Sequence, residues 1–404
     1  MTIPSRSARD RTPRRIGLAW PGRDPHTWAT GIVVAGLLVV LAFAGCSGSY
    51  AAGSPAAGAT AQSLSPSGST APASAFSLTG SMAVGRQAPT ATLLDDGRIL
   101  VAGGSGDASA ELYDPATGTF SPTGSMTTAR YWSTATLLPD GSVLVAGGND
   151  GSADLASAEL YDPKSGTFSA TGSMMGVRAL HTATLMSDGR VLVAGGSNGS
   201  SALASAELYD PATGTFSPTG SMTSIRALHT ATPLSDGRIL LTGGTDGSAA
   251  LASAEMYDPK SGTFSTTGSM TSPRMFDTAA LLGDGRVLVA GGSDGSAYLA
   301  SAEAYDPATG RFGPVGSLAT ARVGHTATRL SDGRVLIAGG NGGSADLASA
   351  ELFDRASGTF SLAGSMATAR SYATATLLSD GRVLILGGVP DSGSLLASAE
   401  LFQP

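Results

Sequence analysis

Three histidines and an aspartate fall into one column of this sequence: His181, His229, Asp277 and His325 each stand three residues after an arginine, 48 residues apart. Imidazole and carboxylate are zinc donors, but zinc requires four donors converging at about 2.0–2.2 Å. A second column holds seven arginines, Arg86, Arg130, Arg178, Arg226, Arg274, Arg322 and Arg370, and a third holds Glu111, Glu159, Glu207, Glu255, Glu303, Glu351 and Glu400. A glutamate inside a packed strand is costly unless paired, so this match predicts one structural ion pair per unit. The alternative is an arginine ring that holds an anion. Between the first two columns the residues drift, and Tyr131, Trp132, Met275, Phe276 and Tyr372 appear there. No HExxH or P-loop is present, and no paired carboxylates with divergent surroundings suggest general acid–base work.

The elements that position these columns follow from the repeat. Glycine pairs begin at Gly103, Gly147, Gly195, Gly243, Gly291, Gly339 and Gly387, a spacing of 44 once and then 48 five times. Around each pair recur TATLL, SDGR, VLVAGG, a polar loop, LASAELYDP and GTF. TATLL and RVLVAGG are short, β-rich and almost uncharged, which predicts strands covered on both faces. The Asp188-Gly189 step and its counterparts predict a two-residue hairpin turn with positive φ at both positions. Tyr161-Asp162-Pro163 with Gly166 predicts a tight turn, and GTFS a short polar outer edge.

Four strands per unit cannot cover their own faces, whereas seven such sheets around an axis can. The last unit stops after three strands, and SAFSLTGSM (74–82) stands orphaned before the first, so it is expected to complete the seventh blade and close the ring. The paired glycines after an apolar strand, the tyrosine of YDP and the later aromatic resemble kelch repeats, over about 330 residues and all seven units. The expected fold is therefore an all-β, seven-bladed propeller of four-stranded kelch-like blades. Phenylalanine replaces the frequent tryptophan at Phe120, Phe168 and Phe216, and the YDP tyrosine at Phe353 and Phe402.

A propeller has its own consequences for the columns. Loops entering the first strand and loops between the second and third share one face, and all the internal variation lies in those two sets. That face is the expected ligand surface, with Tyr131, Trp132, Phe276 and Tyr372 as anchors beside His181, His229, Met275, Asp277 and His325. Equivalent positions on different blades are expected to be held apart by the channel, so no metal is expected. The kelch resemblance also implies histidine at that column, and galactose-oxidase-like copper chemistry needs a cysteine crosslinked to tyrosine. The only cysteine, Cys46, lies outside the repeats, which excludes that chemistry.

Residues 1–45 read as a lipoprotein signal peptide or an N-terminal membrane anchor: six arginines in the first 26 residues precede an apolar run at 31–44, short of the ~20 residues of a bilayer span. Phe43-Ala44-Gly45-Cys46 resembles the lipobox of bacterial lipoproteins, which implies lipidation at Cys46. Residues 46–74, almost all small residues and proline, predict a flexible tether, and 75–404 the propeller. Without residues 1–45 the chain keeps 18 Lys+Arg against 29 Asp+Glu, a net of −11, which offers nucleic acid no electrostatic footprint. The expected protein is a monomeric scaffold without cofactor, tethered to the cell membrane on its extracytoplasmic side, that binds a surface protein or glycan. A cofactor-free epimerase or mutarotase and a purely structural adhesion module are the alternatives.

Overall fold

The computed structural model describes residues 75–404. The readings made above for the signal or anchor segment, Cys46 and the tether lie outside the described residues. Those described form 28 strands in seven four-stranded antiparallel sheets. After β1 (Phe76–Leu78), the first blade runs in sequence order through β2 (Thr90–Leu93), β3 (Ile99–Ala102), β4 (Ala110–Asp114) and β5 (Thr119–Pro122). The first strands of neighbouring blades lie side by side around the axis. They are therefore innermost.

The seventh sheet joins both ends of the repeat region. β1 pairs antiparallel with Ala399–Phe402, placing Phe76 opposite Phe402 with ring centroids 5.0 Å apart. The orphan strand closes the ring.

Burial explains why the second strand of each blade is apolar, broken only by Thr242 in the fourth. In β3, Ile99 and Val101 pack toward the seventh blade with Leu384 and Leu386, while Leu100 and Ala102 pack toward the second with Val143 and Val145. The core is thus seven inter-blade layers, and each blade supplies half of two of them. The first strands lie between those of both neighbouring blades, but β2 keeps only Thr92 buried, because its unpaired edge turns to the axis. The hairpin turn differs from the expected one. Met186 donates its N–H to the Arg190 carbonyl at 2.9 Å and accepts from Gly189 at 3.0 Å, so Ser187, Asp188 and Gly189 form a three-residue loop. Only Gly189 takes positive φ, at 84°, while the Asp188 carboxylate accepts from the Arg190 N–H and guanidinium.

Blades are also tied by hydroxyls. Each YDP tyrosine meets a threonine that leaves the preceding blade, as Tyr209 meets Thr171 at 2.9 Å. At the last two seams both partners are apolar together: Val315 packs in the layer of Phe353, and Ala363 in that of Phe402. A hydrogen bond replaced on both sides by apolar groups leaves no orphan. Thr171→Val or Tyr209→Phe alone should therefore cost about 1 kcal/mol, and the double variant no more than the worse single. Chemical denaturation of the four proteins checks this, and additive losses would contradict it.

Candidate functional site

Each arginine of the repeat column is buried and spans its own blade. Arg226 donates to the carbonyls of Gly243 and Ser253 at 2.9 and 3.1 Å and to Glu255 at 2.8 Å. Glu255 in turn accepts the backbone N–H groups of Thr223 and Ser224 at 2.7 and 3.1 Å. All seven pairs lie between 2.6 and 3.1 Å, with the arginine side chains no more than 2% exposed. The pairs are structural, and these guanidiniums are not open to an anion in the channel. The backbone of the same residue faces backward: the Arg226 carbonyl accepts from Gly196 of the preceding blade at 2.9 Å. A Cβ on Gly195 would stand 2.5 Å from that carbonyl oxygen, which is why the pair is glycine.

Two residues after each arginine the chain turns left-handed. Ala88, Trp132, Leu180, Leu228, Phe276, Gly324 and Tyr372 have φ between 47° and 63°. Six of these are not glycine, and such conformations cost energy that surrounding structure must offset. Part of the offset is a collar of backbone bonds from blade to blade. Leu180 donates to Trp132, Leu228 to Leu180 and Phe276 to Leu228 at 3.2–3.4 Å, and separately Tyr372 donates to Gly324 and Ala88 to Tyr372 at 2.8 and 3.0 Å. The collar is thus two arcs.

The aromatic side chains bridge the arcs. Trp132 and Phe276 end one arc, Tyr372 is central in the other, and their ring centroids lie 5.6, 5.9 and 6.4 Å apart. This corrects the expectation that equivalent positions are held apart by the channel. The left-handed backbone turns these side chains toward the axis, where large rings from the second, fifth and seventh blades reach one another. Gly324 leaves room, since a Cβ there would lie 2.8 Å from the Tyr372 ring. All three rings remain partly exposed, a capped mouth with an aromatic outer surface. Desolvation pushes the Tyr372 hydroxyl up to about 12.

The histidine column is not on that surface. His181, His229 and His325 are each 6% exposed, and their Nε2 atoms meet Thr134, Thr182 and Thr278 of the preceding blade at 3.0, 3.1 and 2.9 Å. Desolvation first, and then the neighbouring arginine, lower each to about 3, so the rings are neutral wedges in the seams. Asp277 occupies the same position between the fourth and fifth blades, 7% exposed, with neither carboxyl oxygen hydrogen-bonded. It is shorter than histidine, and its threonine counterpart, Thr230, instead bonds Thr242 at 2.6 Å. Burial pushes the Asp277 carboxyl up to about 7. The expected ligand roles of these four residues thus give way to seam positions, because the residue after a left-handed one points back between blades.

Tyr131 and Met275 lie beside the cap in bridges to Asn149 and Ser293, which joins the entering loops to the second-to-third-strand loops on one face. Tyr298, which column reading missed, belongs to that face, where Asp346 and Tyr372 are within electrostatic reach. It replaces Asp154 and Asp346 of other units, a substitution visible by comparing copies.

The Kelch motif family model matches residues 134–175, 178–223, 226–271 and 274–318, the second to fifth blades. No curated protein matches the chain. Among solved structures it resembles a fungal alcohol oxidase of the AA5 family in complex with copper, at 18% identity and TM-score 0.70, covering 81% of this chain and 76% of that one. That likeness is one of fold. The residues here do not fit a metal: among the described residues no three His, Cys, Asp or Glu side chains are placed to hold an ion, and each histidine is engaged in a separate seam.

Asp277 sets a pH signature. Its folded pKa lies above its unfolded value near 3.8, so its stabilising protonated form is lost as pH rises toward 7. Asp277→His can wedge against Thr230 as its neighbours do, and should raise stability by about 1–3 kcal/mol at pH 8, by removing a buried unpaired charge. The advantage should vanish by pH 4, where the buried aspartate is protonated and the new imidazole, charged in the unfolded chain but neutral when buried, is penalised. Urea denaturation at both pH values measures it, and equal stability at pH 8 would contradict it.

Proposed function

Because the chain is a kelch-repeat propeller, built of seven blades to one plan, we propose that it is a binding scaffold whose recognition surface is the capped mouth of the channel. One observation carries this reading: Trp132, Phe276 and Tyr372, from three different blades, gather partly exposed on a rigid collar held in a costly conformation. Blades that served only to pack would have no use for large rings there. Aromatic anchors on a preorganised frame are how recognition surfaces gain affinity without ordering cost. The scaffold is proposed to sit on the extracytoplasmic side of the cell membrane, tethered through residues 46–74 and lipidated at Cys46, with a protein or glycan as ligand.

A second reading, a cofactor-free sugar-modifying enzyme, is favoured by Asp277, a carboxyl that titrates near neutrality directly after Phe276. Glycan arrays and cell-surface pull-downs with the chain and with a Trp132→Ala/Phe276→Ala/Tyr372→Ala variant separate these. The scaffold reading expects a retained ligand that the variant loses by tenfold or more, the scale of a lost hot-spot cluster, with no chemical change in that ligand. A modified ligand, with turnover abolished in Asp277→Asn, would favour the enzyme. Binding undiminished in the triple variant would contradict both.

A further inference from the structure

The propeller sorts its charges by face. Seven arginines and seven glutamates neutralise one another inside the blades. The other eleven arginines and lysines of residues 75–404 all fall at the opposite end of the blades, in or beside the SDGR and YDP turns. There Arg98, Arg190, Arg238, Arg286, Arg334 and Arg382 pair with aspartates of their own turns at 2.6–2.8 Å. The capped face carries no such cation. Its loops hold Asp107, Asp150, Asp154, Asp246, Asp294, Asp346 and Asp391, all at least partly open to solvent. Among these only Asp107 has a cation within ion-pair distance, Arg86 at 3.7 Å.

Two further features point the same way. Asp154 and Asp346 are partly desolvated, which pushes both carboxyls up; Asp154 meets Asn149 at 2.7 Å, and Asp346 meets Asn341 at 2.9 Å with Ser371 and Asp391 beside it. Asp346 lies within electrostatic reach of Tyr372 in the cap, and Asp154 of Tyr131 beside it. Partly desolvated carboxylates beside partly exposed aromatic rings attract cations both by charge and by the ring quadrupole.

We propose that the capped face docks a basic polypeptide segment, arginine- or lysine-rich, with its cations on the aspartate rim and at least one over the aromatic cap. This rests on the reading of that face as the recognition surface and names its partner's chemistry. A polypeptide is chosen over a small cation because the rim aspartates come from six blades, more than one charge can touch, whereas a multivalent chain can reach several.

Fluorescence anisotropy of the full chain in detergent tests it, with a labelled arginine–glycine repeat peptide as probe and its glutamate–glycine counterpart as control. The arginine peptide should bind, more weakly as salt rises, and the glutamate peptide should not. Asp154→Asn/Asp346→Asn should weaken binding about tenfold, as loss of two complementary charges does. Asp188→Asn on the opposite face should change it less than twofold, and matched melting curves confirm that both variants fold. Failure to prefer the arginine peptide, or equal loss in both variants, would overturn the proposal. So would displacement by tetramethylammonium beyond the effect of equal sodium chloride, which would reassign the face to a small cation. A neutral glycan held through the cap without any preference for arginine would remove this inference while leaving the recognition surface intact.

Discussion

The buried guanidinium in each blade is the contact on which the others rest. It closes the glycine-pair strand onto the third strand, and through its glutamate it fixes the loop that leads back to itself. Its carbonyl receives the N–H of the preceding blade's second glycine. An ion pair this buried is not a large net source of stability, since desolvation offsets much of the attraction. What it supplies is position. Removing one member strands the other in an apolar layer, so the node holds or the blade fails.

From the node the functional surface follows in two steps along the chain. The residue two beyond the arginine is forced left-handed and joins the collar, which turns its side chain to the axis. The next residue points back into the seam, where it must be a neutral wedge. Histidine satisfies this by meeting a threonine of the neighbouring blade, whereas Asp277 does so only while protonated. The same local geometry therefore sends one column to the surface and the adjacent one to the core.

Much of this was legible in the sequence because repetition makes columns comparable within one chain. Blade count, strand order, closure by Phe76 and the arginine–glutamate pairing all follow from spacing and from the cost of unpaired burial. The division between Trp132 and His181 was not legible, because periodicity does not report the sign of φ: nothing in Tyr131-Trp132-Ser133 or Ala179-Leu180-His181 marks the middle residue as left-handed. Nor did the Asp-Gly steps reveal their third loop residue. The joint loss of hydroxyls at Val315 with Phe353 and Ala363 with Phe402 was available in the repeats, since each replaces one half of a pair present elsewhere.

The most direct test substitutes the node beside the cap. Trp132 is the only tryptophan in residues 75–404 and lies two residues from Arg130. Arg130→Met should lower the denaturation free energy by about 3–5 kcal/mol, the cost of leaving a buried carboxylate unpaired, and should shift Trp132 emission to longer wavelength as the cap loosens. Arg130→Met/Glu159→Met should recover part of both losses. An Arg130→Met protein with unchanged midpoint and emission would show that the node neither holds the blade nor aims the cap, and the account would be wrong at its root.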